Sequence, residues 1–453
     1  MPGTKEQQNG ITEGVIWKQI LLFFFPILIG TFFQQLYNTV DAIVVGQFAG
    51  KEALSSVGGS SAQIINFVVG FFTGLTSGCS VIISQYYGAK EEEGLHRALH
   101  TAYTFSLIGG IVLGIAGVIF APEVLRLMNT PDELMATSLL YIRIYFAGLV
   151  FVFIYNMGSA VLRAIGDSKR PLYYLIACCL INIVLDLLLV WGFGLGVLGV
   201  AVATLTSQAV SAVLVTCTLM GHTPGMELRL REIRIYRGTL GMMLRIGLPS
   251  GIQSSMYSFS NILIQSSMNH FGVDTMAAWT AYGKIDCIFW MINGAFGIAI
   301  STFVGQNYGA GKWERIRKGV RVCLLMDLMV AIAISGIVMI FGAPLLGIFT
   351  PDADVIAIGT RFMEIISPTY FLFVFIEMFS GALRAEGHVA IPTAISICCI
   401  CMFRMVWISW IVPNGTLEQI VWCYPLSWLF SAALMTVYYL YKQRRVLQRT
   451  ANN

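Results

Sequence analysis

Charge is what this sequence has least of. Asp, Glu, Lys and Arg make up 11% of its 453 residues, against about 25% in a typical soluble domain, which excludes an ordinary water-soluble fold. Histidine is nearly as scarce. The five present, His96, His100, His222, His270 and His388, fall near the ends of apolar runs, so no clustered His, Cys or Ser constellation marks a membrane-embedded enzyme. Ten cysteines occur without paired CxxC motifs. Those inside apolar runs, such as Cys79, Cys178, Cys179 and Cys398, read as small packing residues rather than zinc ligands or disulfides. No Walker loop, HExxH or nucleophile elbow is present, so ATP-driven transport and hydrolysis lack support and no cofactor is expected. "GLGVLG" (Gly194–Gly199) spells GxGxxG, but it follows an apolar helix rather than a strand and lacks the acid about 20 residues on. It reads as a tight turn.

What is present is apolar surface. The chain is 57% hydrophobic, with a mean hydropathy of +0.75. About twelve runs are long enough to cross a ~30 Å hydrocarbon core as helices. They fall near 15–46, 53–84, 95–120, 134–162, 171–192, 196–220, 240–270, 275–305, 317–344, 355–384, 391–412 and 417–441. The first run is too long for a cleavable signal and lacks a small-residue cleavage site. With a cytoplasmic N-terminus, about 22 of the 28 Lys and Arg lie inside and about three outside (Lys51, Arg126 and Arg361), which predicts a multi-pass cell-membrane protein with both termini cytoplasmic. The net charge of +4 then reflects topology, and no nucleic-acid partner is implied. "NGT" at 414–416 is a sequon on the outer side, relevant only in a glycosylating host.

The sequence repeats itself. "AVLRAIGDSKRP" at 160–171 matches "GALRAEGHVAIP" at 381–392, "SQYYGAK" at 84–90 matches "GQNYGAGK" at 305–312, and "MNTPDE" at 128–133 matches "IFTPDA" at 348–353. Pro26 and the polar positions after it match Pro249 and its followers. The spacing of about 220 residues is six spans, an even number, so both copies have the same orientation. The expected fold is an all-α integral membrane protein of twelve transmembrane helices in two parallel six-helix lobes related by pseudo-two-fold symmetry. The lobes are an N-terminal one (1–220) and a C-terminal one (240–453), joined by a cytoplasmic linker (221–239), with the substrate pathway between them and alternating access by rocking. "GIVLG" (Gly110–Gly114) fits small-xxx-small helix packing.

The two copies differ in their acids. Aligned on the prolines, Asn38 falls on Asn261, but Asp41 falls on Ile264 and Asp186 on Trp407. A carboxylate at the bilayer centre costs roughly 2.5–3.5 kcal/mol on insertion scales, and a requirement of the fold alone would tend to recur in both copies. Gln34, Asn38 and Asp41 follow one helix face at i, i+4 and i+7; Asn182 and Asp186 are an i, i+4 pair. Asp186 lies about 22 Å along its helix from Pro171, which puts both acids in the outer half of the membrane. Two nearby carboxylates in a low-dielectric site do not easily both stay ionised. Such a pair takes up a proton, or Na+ with amide and hydroxyl oxygens completing the shell.

In combination, "LYNTVDAIVVG", "ALSSVGG", "VLRAIGDSKRP" and "LINIVLDLLLVWGFGLGVLGVAVAT" resemble the multidrug and toxic compound extrusion (MATE) family over nearly the whole chain, and within it the DinF-type branch. The resemblance implies a cation-coupled antiporter that exports amphipathic, often cationic, organic compounds and works as a monomer among membrane lipids. It implies that Asp41, Asn182, Asp186 and Thr204 bind H+ or Na+ in the N-terminal lobe, and that Pro26 bends the first helix as the site changes state. A proline inside a helix removes a hydrogen bond and kinks it, which suits a hinge and a static packing kink alike. The NorM-type branch places acids in the seventh and tenth spans; here the seventh, "SGIQSSMYSFSNILIQSSM", has none. Cleft candidates for the organic substrate are Gln34, Tyr37, Asn38, Asn156 and Tyr257, with Lys284, Asp286 and Glu377. For those last three charges, with Arg404, mutual ion pairing is the favoured reading. A lipid-linked saccharide flippase of the same wider superfamily is the alternative; it calls for a strongly basic cleft, and the N-lobe spans hold almost no Lys or Arg.

Overall fold

A computed structural model describes residues 11–221, 227–411 and 415–451, and among them every regular element is helical. In chain order these are α1 (Ile16–Val44), α2 (Gly50–Gly58), α3 (Ser60–Ala89), α4 (Glu92–Leu127), α5 (Asp132–Ala147), α6 (Leu149–Ala164), α7 (Lys169–Asp186) and α8 (Gly196–Met220). They continue as α9 (Arg237–Asn269), α10 (Val273–Gly309), α11 (Trp313–Gly347), α12 (Ala353–Ile366), α13 (Tyr370–Ala385), α14 (Ala390–Ser396), α15 (Phe403–Ile411), α16 (Leu417–Val421) and α17 (Cys423–Ala451). Among the described residues ten helical stretches are long and apolar enough to cross a membrane, and α5 with α6, bent by 49° at Gly148, makes an eleventh. The twelfth expected span corresponds to α9. It is 33 residues long, about 50 Å at 1.5 Å per residue, but its Ser, Gln and Asn content keeps it below that hydropathy. The gap expected between the first two spans is helical instead: α1 runs into a π-helical turn, Val45–Ala49, and then α2.

The sequence repeats are repeats of local structure. In the first copy α6 stops at Ala164, Gly166 takes φ +95°, and α7 opens with Pro171 in its first turn; in the second α13 stops at Ala385, Gly387 takes φ +83°, and α14 opens with Pro392. A left-handed residue closing one helix and a proline at the start of the next form a stop-and-restart signal that only glycine and proline supply cheaply. "TPD" likewise breaks the chain twice, before α5 and before α12, where Asp352 accepts hydrogen bonds from the backbone N–H of Asp354 and Val355.

The chain packs as two compact units, Phe25–Gly251 and Met1–Phe24 with Ile252–Asn453. The division differs from the lobe boundaries expected at 220 and 240. It falls inside α1 and inside α9, within two residues of Pro26 and Pro249. In the first unit, the early part of α9 is held to α3 by two facing GxxxG stripes. A Cβ at Gly74 would meet the Gly251 backbone, and one at Gly78 would meet Met243 O and the Gly247 backbone. Gly110 and Gly114 do the same on α4, against Val150 and Phe146 O. The joining segment docks on this unit too: Leu228 N–H donates to Leu219 O (2.8 Å), and Tyr236 N–H to the Thr101 hydroxyl (3.2 Å). In the second unit, the start of α1 packs through Phe24, stacked on Phe296. Arg315 and Lys312 hold the segment before it by its backbone carbonyls at Ile11, Thr12, Glu13 and Gly14. The sequon at 414–416 lies partly outside the described residues.

Candidate cation site

Asp41 sits one turn before the end of α1, and Asp186 is the last residue of α7. π-helical turns follow both, Val45–Ala49 and Leu187–Gly192, and the two turns pack against each other. A π turn re-aims the side chains around it and is frequent at functional sites. Here the carboxyl groups of Asp41 and Asp186 meet. Asn182 lies one turn back on the Asp186 face, and α8 brings Thr204, whose hydroxyl accepts a hydrogen bond from Tyr37 at 3.4 Å. All four side chains are enclosed: Asn182 and Asp186 are 0% exposed, Thr204 4% and Asp41 8%. Val44, Val45, Tyr141, Val190, Val197 and Val200 form an apolar cluster around the π turns, and Tyr37 and Tyr141 both stand near Asp41.

The polar atoms so enclosed are under-satisfied. Neither Asp186 oxygen, nor Asp41 Oδ1, nor either polar atom of the Asn182 amide has a hydrogen-bond donor or acceptor of its own. Each such group costs about 1–3 kcal/mol when buried, and two full charges 4 Å apart repel by about 4 kcal/mol at an effective dielectric of 20. One proton shared by the carboxyls removes the repulsion and supplies a donor. Alternatively, the two carboxylates, the Asn182 carbonyl and the Thr204 hydroxyl are hard oxygen donors of the type that suits Na+.

The other expected site residues are placed as follows. Gln34 and Asn38 share the Asp41 face of α1 but are exposed, whereas Tyr37 joins the acid pair. The Asn156 amide donates to Val152 O of its own helix at 2.8 Å. Tyr257 lies beside Ser396 and Glu377 in the other unit. The ion pairing expected among Lys284, Asp286, Glu377 and Arg404 is not what forms. Asp286 accepts from three aromatic donors, Tyr370 (2.5 Å), Trp290 (2.6 Å) and Tyr282 (3.1 Å). Glu377 pairs instead with Arg384 at 3.3 Å. Arg404 donates to the Ser427 hydroxyl and lies over the Tyr424 ring, and Lys284 is exposed with no acid in reach among the described residues. Neutral donors hold the half-buried Asp286, and aromatic faces hold the buried Arg404. Ile264 and Trp407, at the register positions of Asp41 and Asp186, are a fully buried packing residue and an indole bonded to Gln419 O.

Sequence reasoning missed Tyr141, since a tyrosine in an apolar helix reads the same whether it packs or faces an acid. It also missed Asp327, 1% exposed near Glu377, and Glu386, 5% exposed and accepting from Gln443 at 3.2 Å.

A two-repeat bundle of long apolar helices is the architecture of a multi-pass membrane protein, and the comparisons give the family. The MatE family model matches twice, over residues 26–188 and 249–409, each match beginning at one of the repeated prolines. "Probable multidrug resistance protein YoeA" of Bacillus subtilis is 31% identical over 95% of both chains, and "Probable multidrug resistance protein YpnP" of the same organism is 27% identical over 96% of this chain and 98% of its own. The fold matches a solved outward-facing multidrug resistance MATE family transporter of the MOP superfamily with a TM-score of 0.90, at 22% identity, over 98% of this chain and 100% of that one. The chain belongs to the MatE family and is a transporter, not an enzyme.

Proposed function

We propose that this transporter exports amphipathic, often cationic, organic compounds from the cell in exchange for H+ or Na+ bound at Asp41, Asn182, Asp186 and Thr204. The observation that carries the reading is the pair of touching carboxyls, enclosed and short of hydrogen-bond donors, in one repeat only. The multidrug names of its relatives support the substrate class. A cation entering from outside satisfies the orphaned oxygens and removes their repulsion. Movement of one charge inward adds about 2.3 kcal/mol per 100 mV of membrane potential. Pro26 lies where α1 passes from one packing unit to the other, a position suited to a hinge. The protein acts as a monomer in the cell membrane, surrounded by lipid, with both termini cytoplasmic. Efflux of an organic cation from proteoliposomes under an imposed pH or Na+ gradient tests the reading. Efflux driven by one gradient identifies the ion, and efflux indifferent to both rejects the exchange.

A further inference from the structure

His96 and His100 stand four residues apart in the first turns of α4, on one helix face, with ring centroids 4.1 Å apart. The segment after α8 makes a short 3-10 turn, Leu230–Glu232, against them, which brings Glu232 Oε2 to 3.1 Å from His96 Nε2. His100 is held by both nitrogens. Nδ1 faces the His96 carbonyl at 2.9 Å and Nε2 receives the Arg229 backbone N–H at 3.1 Å. The only arrangement that satisfies both contacts is the neutral tautomer with its proton on Nδ1 and the Nε2 lone pair accepting the Arg229 N–H. One ligand atom from each of His96, His100 and Glu232 falls within 4.8 Å of the other two.

The geometry points to a divalent transition-metal site of the zinc type, made by His96 Nε2, His100 Nε2 and a Glu232 carboxylate oxygen, which fastens the segment joining the two repeats to α4. Two imidazoles with one carboxylate are borderline donors that suit Zn2+ over Mg2+ or Ca2+. The bond from His100 Nδ1–H to a backbone carbonyl is the outer contact that fixes the tautomer and aim of a metal-bound histidine. Around a tetrahedral ion with bonds of ~2.0–2.1 Å the donor atoms stand roughly 3.4 Å apart, against separations within 4.8 Å here, so closure draws the donors together by up to about 1.4 Å and lifts the Arg229 N–H off His100 Nε2. Arg229 holds the other carboxylate oxygen, Oε1, at 3.2 Å and leaves Oε2 to the metal. Coordination displaces two contacts, Arg229 N–H to His100 Nε2 and His96 Nε2 to Glu232 Oε2, and makes three metal bonds.

The test uses the full chain in detergent with any affinity tag removed. Titration with Zn2+ followed by heat should give one strong equivalent, weakened at least tenfold by His96→Ala or Glu232→Gln and unchanged by His270→Ala. Titration with Co2+ should give a tetrahedral spectrum without a thiolate charge-transfer band, which separates this site from the ten cysteines. Because His100 is buried and its loss threatens folding, His96 and Glu232 are the positions substituted; their contacts here are with each other, the His100 ring and Arg229. Zn2+ should also slow tryptic cleavage after Arg229, Arg231 and Arg234 in the parent protein but not in His96→Ala. Absence of Zn2+ binding, binding unaffected by both substitutions, or a thiolate-type Co2+ spectrum would overturn the proposal.

Discussion

Replacing Asp186 by Asn should make the protein more stable and stop it coupling. In the parent structure both Asp186 oxygens and Asp41 Oδ1 are enclosed without a donor, and the two carboxyls meet. Asn keeps the volume, removes one of two repelling groups, and offers an N–H to Asp41. Relieving one or two orphaned acceptors is worth about 1–3 kcal/mol, each buried unsatisfied group being priced in that range. The gain is capped well below the ~4 kcal/mol repulsion of two full charges, because a shared proton already relieves part of it. Natural sites that trade stability for activity behave this way. Thermal melting of the purified protein in detergent should show Asp186→Asn unfolding at a higher temperature than the parent, and gradient-driven efflux from proteoliposomes made with the same sample should be lost. A variant destabilised by about 1 kcal/mol or more that still couples would make Asp186 a structural residue.

Further outcomes follow from the same geometry. Gly78→Val should prevent stable folding, since the new side chain would occupy the Met243 carbonyl and the Gly247 backbone; overpacking of this kind costs about 1–3 kcal/mol or more, and recovery of monodisperse protein by size exclusion is the readout. Asp286→Ala should destabilise by about 3 kcal/mol or more by leaving the Tyr282, Tyr370 and Trp290 donors without their acceptor, whereas exposed Lys284→Ala should stay within about 0.5 kcal/mol; paired melting curves compare them. Glu377→Gln loses a partner for Arg384 but should impair gradient-driven efflux less than Asp41→Asn, and equal loss in well-folded protein would shift the coupling site to the other repeat.

Much of this was legible in the sequence because the chain carries its own comparison. The repeats matched residues 160–171 with 381–392, where the structure breaks its helices at Gly166 and Gly387, and the mismatch of Asp41 with Ile264 and of Asp186 with Trp407 singled out two acids that the structure brings into contact. Thr204 came from family resemblance alone; a threonine in an apolar helix has no periodicity to mark it. The error at Asp286 was avoidable. Tyr282 and Trp290 sit four residues to either side of it, on the same face, and both are its donors. The facing glycine stripes at Gly74 and Gly78 and at Gly247 and Gly251 had readable spacing, yet spacing does not say which helix a stripe meets. The passage of α1 and α9 between packing units depends on tertiary contacts and leaves no pattern beyond the two prolines. Glu232, about 130 residues from the histidines it joins, was equally hidden.

Asp41 and Asp186 are proposed to share one exchangeable cation. The most direct measurement is gradient-driven efflux of an organic cation by Asp41→Asn, Asp186→Asn and the double variant in proteoliposomes, alongside substrate binding by the same proteins in detergent. If the acids act as one unit, each single substitution abolishes driven efflux, substrate binding persists in part, and the double variant is no worse than either single. Efflux near the parent rate in Asp41→Asn, or losses that add across the pair, would mean that the two acids do not share a cation.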